Sequence, residues 1–288
     1  MSDATIYDLG YRRYDGDRTG LPGALRTLVT HSMRSALGLG RSARHKVLPF
    51  LIIIFAYVPA IVFVGVAALF GNEIGPDNLP NYAEYYGFMI ATVYLLAGLV
   101  GPQLLCNDRR TGMLGVYLSS PLDRRTYLLG KALATLGLVL LVSLGPPLLL
   151  LVSYTMVDLG PGGLFDWLEI LFKIVVSSLL IGVLYSLVAL GVSSITDRNV
   201  VASAVTLALI PGSAMVTDTL VNVGISPHLL LLNVLTLPRD LVFRVHGEPP
   251  LWSLVDNPTW SLALAWLAWV SLAAVFIWWR YRKLLVRR

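Results

Sequence analysis

The most informative residue types and spacings lie in a basic loop at positions 107–131. Within this loop the sequence predicts a short helix over about 111–119, with an apolar face formed by Met113, Leu114, Tyr117 and Leu118. A second helix would follow, with Ser120 as its N-cap, Pro121 in its first turn and Asp123 near its positive end. A short amphipathic helix has an apolar face to bury, on lipid or on another protein. The chemistry predicted here is therefore docking rather than bond-making.

Signatures of catalysis are missing from the sequence. It has no G-x-x-x-x-G-K-[ST] phosphate loop, no H-E-x-x-H zinc motif and no G-x-S-x-G nucleophile elbow. The four histidines all lie outside the long apolar stretches. We therefore expect no catalytic, metal or cofactor site on this chain.

Charged residues are also rare inside the apolar stretches. Ion-coupled carriers keep ionisable side chains near the membrane midplane, where coupling occurs. Lys173 lies about one turn inside the outer end of its stretch, so its ammonium can reach the surface. Asp218 lies at an outer end. Neither residue is placed as a proton relay, so the energy for any transport must come from elsewhere.

The elements that position the loop are membrane-spanning helices. The chain is 56% hydrophobic and only 14% charged, whereas a soluble domain carries about 25% charged residues. Six stretches are long and apolar enough to cross a bilayer, at 47–70, 86–106, 126–157, 170–195, 199–217 and 259–279. The predicted fold is an all-α integral membrane protein with six transmembrane helices. Pro146 and Pro147 predict a kink in the third of them.

Charge asymmetry predicts the orientation. Nineteen of the 22 lysines and arginines lie on one side of the predicted spans. The positive-inside rule places that side in the cytosol, together with both termini and the basic loop. We expect a multi-pass protein of the plasma (cytoplasmic) membrane, with a cytosolic segment 1–46, a transmembrane domain 47–279 and a basic tail 280–288. The net charge of +5 needs no nucleic acid to explain it.

The cytosolic segment contains a predicted helix over 22–45. Its apolar residues share one face at helical spacing, while arginines lie away from that face. This pattern is typical of an interfacial helix on the bilayer surface. The residues predicted to form the face are Leu25, Leu28, Val29, Met33 and Leu37. The alternative is a basic leader that only fixes topology.

The outer loop at 218–258 contains a leucine-rich run that is too short to cross the membrane. We interpret it as a re-entrant helical hairpin before the sixth span. The alternative is a seventh, partial span.

The basic loop resembles the coupling region of type-2 ABC exporter permeases. The resemblance covers about 25 residues and is carried by Arg110, Gly112, Leu114, Leu118, Ser120, Pro121, Arg125, Gly130 and Lys131. The opening segment 6–16 is similar to N-termini of actinobacterial permeases of this kind. One position departs from the pattern, because many members have an acidic residue where this chain has Gly115.

This resemblance implies a transmembrane subunit of an ATP-driven exporter. ATP and Mg²⁺ would bind a separate ATPase subunit, and a second permease, identical or paralogous, would complete the transporter. Substrate, expected to be hydrophobic or amphipathic because the span faces are uncharged, would leave the cytoplasm or the inner leaflet. The residues implied in coupling to the ATPase are Arg110, Gly112, Met113, Leu114, Tyr117, Leu118, Ser120 and Pro121.

Other functions remain open at this point. An ATPase-independent secondary carrier or channel would respond to ionophores and need no ATPase partner. A membrane enzyme is disfavoured by the missing motifs, and a scaffold would survive disruption of the loop. The loop could also be a generic basic turn, although that role would not require Gly112, Ser120 and Pro121 at these spacings.

Overall fold

The computed structural model describes residues 20–40, 42–74, 80–249 and 257–283. These residues form helices, turns and irregular segments, with no strand. The α-helices, in chain order, are α1 (Gly20–Ala36), α2 (Arg44–Ile74), α3 (Tyr82–Arg110), α4 (Met113–Leu118), α5 (Arg124–Ser143), α6 (Gly145–Met156), α7 (Leu164–Ser193), α8 (Asn199–Asn222), α9 (Thr236–His246) and α10 (Thr259–Lys283).

Six stretches of these helices are long and apolar enough to cross a membrane, which confirms the six predicted spans within the part of the chain that the structure describes. They are His45–Phe70, Tyr82–Arg110, Arg124–Met156, Leu164–Ser193, Asn199–Asn222 and Thr259–Lys283. The third combines α5 and α6, which meet at Leu144. The break therefore lies at Leu144, two residues before Pro146, and both prolines fall in the first turn of α6.

Two hydrogen bonds compensate for the break between α5 and α6. Pro147 has no N–H for the carbonyl of Ser143, so that oxygen loses its helical partner. Ser178 Oγ of α7 donates to it over 2.9 Å. The carbonyl of Leu141 accepts from the Tyr57 hydroxyl of α2 over 3.0 Å. Neighbouring helices thus satisfy carbonyl groups that lipid could not.

Helices α3 and α7 form the centre of the bundle. Their most hydrophobic stretches are 61% and 67% buried, against 22% for α2 and 11% for α10. Two fully buried tyrosines of α3 tie it to α2 and to α7. The hydroxyl of Tyr85 donates to the carbonyl of Ala56 over 2.7 Å, and that of Tyr86 donates to the carbonyl of Ile174 over 2.9 Å.

A hairpin precedes α10, built from a 3₁₀ helix (Pro227–Leu232) and α9. Its turn is held by Asn233, which is fully buried and whose Oδ1 accepts from the backbone N–H groups of Leu235 and Thr236, both over 3.0 Å. The turn packs deep in the bundle, because the Tyr185 hydroxyl of α7 donates to the carbonyl of Leu235 over 3.2 Å. Ser213 of α8 accepts from the N–H of Val234 over 3.0 Å.

Helix α1 packs along α5, so the predicted apolar face meets protein. A Cβ on Gly130 of α5 would lie 2.6 Å from Leu28 Cδ2 and 3.1 Å from Leu25 Cδ1. Val29, Met33 and Leu37 pack against the main core. The glycine lets the two helices approach closely. The helix is shorter than predicted, since it ends at Ala36. Residues 1–19 and 41 lie outside the described ranges.

Candidate coupling site

The basic loop folds around α4, a helix of six residues between α3 and α5. Helix α3 ends at Arg110, and Gly112 then adopts φ +71°, in the left-handed region that favours glycine. This conformation turns the chain sharply into α4. The structure therefore gives a physical reason for Gly112 in the pattern.

The end of α4 differs from the sequence prediction. Ser120 was predicted to cap the following helix, with Pro121 in its first turn. Instead, Ser120 Oγ donates to the carbonyl of Tyr117 over 2.6 Å, closing the end of α4. Asp123 is the N-cap of α5, and its side chain accepts from the N–H of Thr126 over 2.8 Å. The prediction was wrong because an aspartate nearer the helix competes better for the cap, leaving Pro121 in the turn.

Helix α4 has two different apolar faces. Leu114 and Tyr117 pack against a cluster that includes Leu105, Tyr127 and Tyr281. The predicted apolar face is therefore largely occupied by the chain itself, with Leu118 partly buried.

The side of α4 that carries Val116, with Met113 at its edge, is open. Met113 is 39% exposed and Val116 is 60% exposed. Arg110, Ser120 and Pro121 are also exposed beside it. Val116, which sequence reasoning did not select, is the most exposed apolar side chain of the helix. A helix of six residues is too short for its sequence pattern to reveal which apolar side chains will pack against the bundle.

Beneath α4 lies a buried ion pair. Lys131 Nζ of α5 lies 2.6 Å from Asp108 Oδ2 of α3, and the two side chains are 2% and 11% exposed. Tyr127 donates to the same Asp108 oxygen over 2.9 Å, and Lys131 donates to Ser32 Oγ of α1 over 3.0 Å. We call Ser32, Asp108, Tyr127 and Lys131 the buried polar cluster. It joins three helices at one point.

The buried polar cluster also contacts α4. The Lys131 ammonium lies 5.3 Å from the centre of the Tyr117 ring, a cation–π distance. Burial, and next the nearby Asp108 carboxylate, raise the pKa of Tyr117, so its phenol stays neutral at physiological pH. Displacement of α4 would therefore move Tyr117 relative to Lys131, and Lys131 is bonded to Asp108 of α3 and Ser32 of α1. In the sequence, Lys131 stood out only as part of the pattern of the basic loop, and Asp108 was missed. An ion pair between two helices leaves no characteristic spacing in the sequence.

Two arginines of the loop cap other helices. Arg109 Nη1 donates to the carbonyls of Ser194 and Thr196, over 2.8 and 3.3 Å, at the end of α7. Arg124 Nη1 donates to the carbonyl of Arg282 over 2.9 Å at the end of α10. Cations are favourable at helix C-termini. Part of the loop's positive charge thus fixes the geometry around α4.

A second charged group lies near the other end of α3. The Arg239 guanidinium of α9 lies against Gly87, where a Cβ would come within 2.9 Å of Nη2. Its Nε is buried without a hydrogen-bond partner in the structure described here. With Glu84 and Phe88, these residues line a cavity of about 310 Å³. Arg239 lies within the predicted outer loop 218–258, and no spacing pattern singles it out.

Comparison with known proteins adds the decisive observation. The family described as ABC-2 family transporter protein matches residues 75–279, which include α3 to α9 and nearly all of α10. The chain belongs to this family. It is the membrane component of an ABC-2 type transporter, and members of the family are transmembrane subunits without an ATPase domain. No curated protein matches the chain.

Membership of the ABC-2 family confirms the resemblance inferred from the basic loop, which lies entirely within the matched residues. Among the described residues of this ABC-2 subunit, no group of three or more histidine, cysteine, aspartate or glutamate side chains could hold a metal ion.

Proposed function

We propose that this ABC-2 subunit is the permease of an ATP-driven exporter and that the exposed face of α4 docks a separate ATPase subunit. The observation that carries the proposal is the pair of exposed apolar side chains, Met113 and Val116, on a helix anchored from behind by Leu114 and Tyr117. Exposed apolar groups flanked by polar residues mark protein contacts. ATP and Mg²⁺ would bind the partner, and this chain would carry no cofactor.

Coupling would proceed through the buried polar cluster. Closure of two ATPase subunits by ATP would displace α4, and Tyr117 would transmit the displacement to Lys131 and Asp108. Because the buried polar cluster joins α1, α3 and α5, the cytosolic ends of these helices would shift together. ATP can shift these helices from one arrangement to another only if it binds more tightly to the transporter in one of the two arrangements.

The exporter would work as a pair of permeases, identical or paralogous, in the plasma membrane. The basic ends of the helices would face the cytosol, α1 would lie at the inner surface, and the hairpin containing α9 would be re-entrant from outside. The substrate would leave between the paired subunits. Arg239 lacks an ion-pair partner among the described residues, which favours an amphipathic substrate over a purely apolar one.

Purification from native membranes in a gentle detergent tests this proposal. The unmodified chain should bring a P-loop ATPase with it, and the sample should hydrolyse ATP. The double variant Met113→Asp/Val116→Asp should reduce the co-purified ATPase by about tenfold or more, since a central apolar contact dominates such interfaces. Val223→Asp, which alters a 76% exposed valine elsewhere, is the control and should retain the partner. A chain that purifies alone without ATPase activity would overturn the proposal in favour of a secondary carrier or channel.

A further inference from the structure

Two cavities adjoin where the start of α5 meets the end of α10. One, of about 460 Å³, is lined by basic side chains, including Arg124, Arg125 and Arg282. The other, of about 280 Å³, has a largely apolar lining. Arg125, Leu128 and Trp278 line both cavities, so a charged cavity and an apolar groove lie side by side.

The basic cavity keeps an excess of positive charge. Its one acidic side chain, Asp123, caps α5 through Thr126. These hydrogen bonds hold the pKa of Asp123 below its usual range, so the carboxylate stays ionised and offsets one of the three guanidinium groups. Two positive charges remain unbalanced within the lining. An anion is the ligand that such a lining favours.

The three guanidinium groups of the basic cavity differ in how far they are already engaged by the protein. Arg124 is held by its hydrogen bond to the carbonyl of Arg282. The Arg282 guanidinium lies 5.4 Å from the Trp278 ring, at the seam between the cavities. Arg125 is exposed and makes no hydrogen bond or ion pair within the described residues. Arg125 and Arg282 are therefore available to an incoming anion.

The second cavity supplies a matching apolar surface. It lies between α5, α7 and α10 and is lined by Leu128, Leu129, Leu187, Ile277 and Trp278. Leu129 is 52% exposed, so one wall of the groove reaches the outer face of the bundle. In a six-span membrane protein that face meets lipid. The charged group at its floor, Lys131, is already paired with Asp108.

We propose that these adjoining cavities form a binding site for one anionic phospholipid. The phosphate would lie between Arg125 and Arg282, and the first part of an acyl chain would occupy the groove beside Leu128 and Trp278. Basic pockets between helices at the cytoplasmic surface suit anionic headgroups. The bound lipid would bridge the N-terminus of α5 and the C-terminus of α10, directly beside the buried polar cluster. This site is independent of the proposed ATPase contact on α4.

Native mass spectrometry of the purified full chain tests the proposal. Phosphatidylglycerol and phosphatidylcholine of identical acyl chains are titrated in turn, and glycerol phosphate is added as the free headgroup. We expect phosphatidylglycerol to bind about tenfold more tightly than phosphatidylcholine. Arg125→Gln/Arg282→Gln should remove that preference. The matched control, Arg26→Gln/Arg34→Gln, alters two exposed arginines of α1 and should preserve it.

Several results would overturn the site. Equal affinity for the two lipids would show that charge is not recognised. Equal losses in the control variant would show a diffuse surface effect. Glycerol phosphate binding as tightly as the lipid would indicate a site for a free phosphate, without use of the groove. Loss of ATPase binding by Arg125→Gln/Arg282→Gln with unchanged lipid binding would assign the basic cavity to the partner. Should the double variant fail to fold, Arg125→Gln alone provides the same comparison.

Discussion

At the residue scale, Asp108 and Lys131 form a buried ion pair between α3 and α5. Both side chains are almost fully removed from solvent, and each makes a further hydrogen bond. A buried charge is tolerated only when it is paired and hydrogen-bonded. The pair therefore makes the arrangement of α1, α3 and α5 sensitive to a change at either member.

Removal of one charge from this pair should destabilise the chain strongly. Lys131→Met leaves the Asp108 carboxylate buried and unpaired, and the expected cost is about 3–5 kcal/mol. Thermal unfolding in detergent, followed by tryptophan fluorescence, measures it. The double variant Asp108→Asn/Lys131→Met should recover part of the loss, because no uncompensated charge remains.

The matched control is the pair Glu169–Lys173, 2.7 Å apart with a 62% exposed carboxylate. Glu169→Gln should change stability by less than about 1 kcal/mol, because solvent screens exposed pairs. Similar effects of Lys131→Met and Glu169→Gln would contradict the importance assigned to the buried polar cluster.

Sequence reasoning recovered this part of the site incompletely. Gly112 and Lys131 were found because a spacing pattern contains them, and their roles then became clear from a positive φ and a buried ion pair. Asp108, Val116 and Arg239 were missed because their importance depends on which helices become neighbours. Ser120 was assigned to the wrong helix, since Ser120 and Asp123, three residues apart, are both residue types that cap helices.

At the element scale, α4 depends on its surroundings. A helix of six residues is too short to be stable alone. Its conformation is imposed by the turn at Gly112, the hydrogen bond of Ser120, and the packing of Leu114 and Tyr117. A short helix held from one side presents its other side in a defined orientation, which suits a docking surface.

The packing of α1 on α5 can be tested at Gly130. Gly130→Leu would place a side chain where Leu25 and Leu28 now lie, so α1 should separate from α5. Ala36 of α1 is 1% exposed, so an Ala36→Cys reporter in a background with Cys106→Ala begins buried and leaves Leu25 and Leu28 in place. It should resist a water-soluble thiol reagent in open membranes and become reactive once Gly130→Leu is added.

Gly212→Leu is the control for that experiment, since no atom lies within 4 Å of a Cβ at this position. It should leave the Ala36→Cys reporter protected. Equal reactivity of the reporter with and without Gly130→Leu would show that α1 does not rely on this contact.

At the scale of the whole molecule, the burial of the helices divides the bundle into a centre and a surface. The apolar stretches of α2, α8 and α10 are at most 28% buried, whereas α3 and α7 are enclosed. These exposed faces are available to lipid or to a second permease. Hydropathy predicted all six spans because length and apolarity decide whether a helix crosses a bilayer. It could not predict their neighbours, which depend on small residues and buried tyrosines.

Orientation in the membrane can be tested with single cysteines in the Cys106→Ala background. Gly162→Cys is exposed and has open space around it, and Ser120→Cys is exposed beside α4. A membrane-impermeant thiol reagent applied to intact cells should label Gly162→Cys and spare Ser120→Cys until the membrane is opened. Labelling of Ser120→Cys in intact cells would reverse the proposed topology.

The most direct test of the central claim is site-specific photo-crosslinking from α4 in native membranes. A photoreactive residue at Val116 should form a covalent adduct with a P-loop ATPase subunit, because this side chain is exposed on the face proposed to dock it. The same residue at Val223 serves as the control and should give no ATPase adduct. Absence of an ATPase adduct at Val116, or equal yields at Val116 and Val223, would contradict the account.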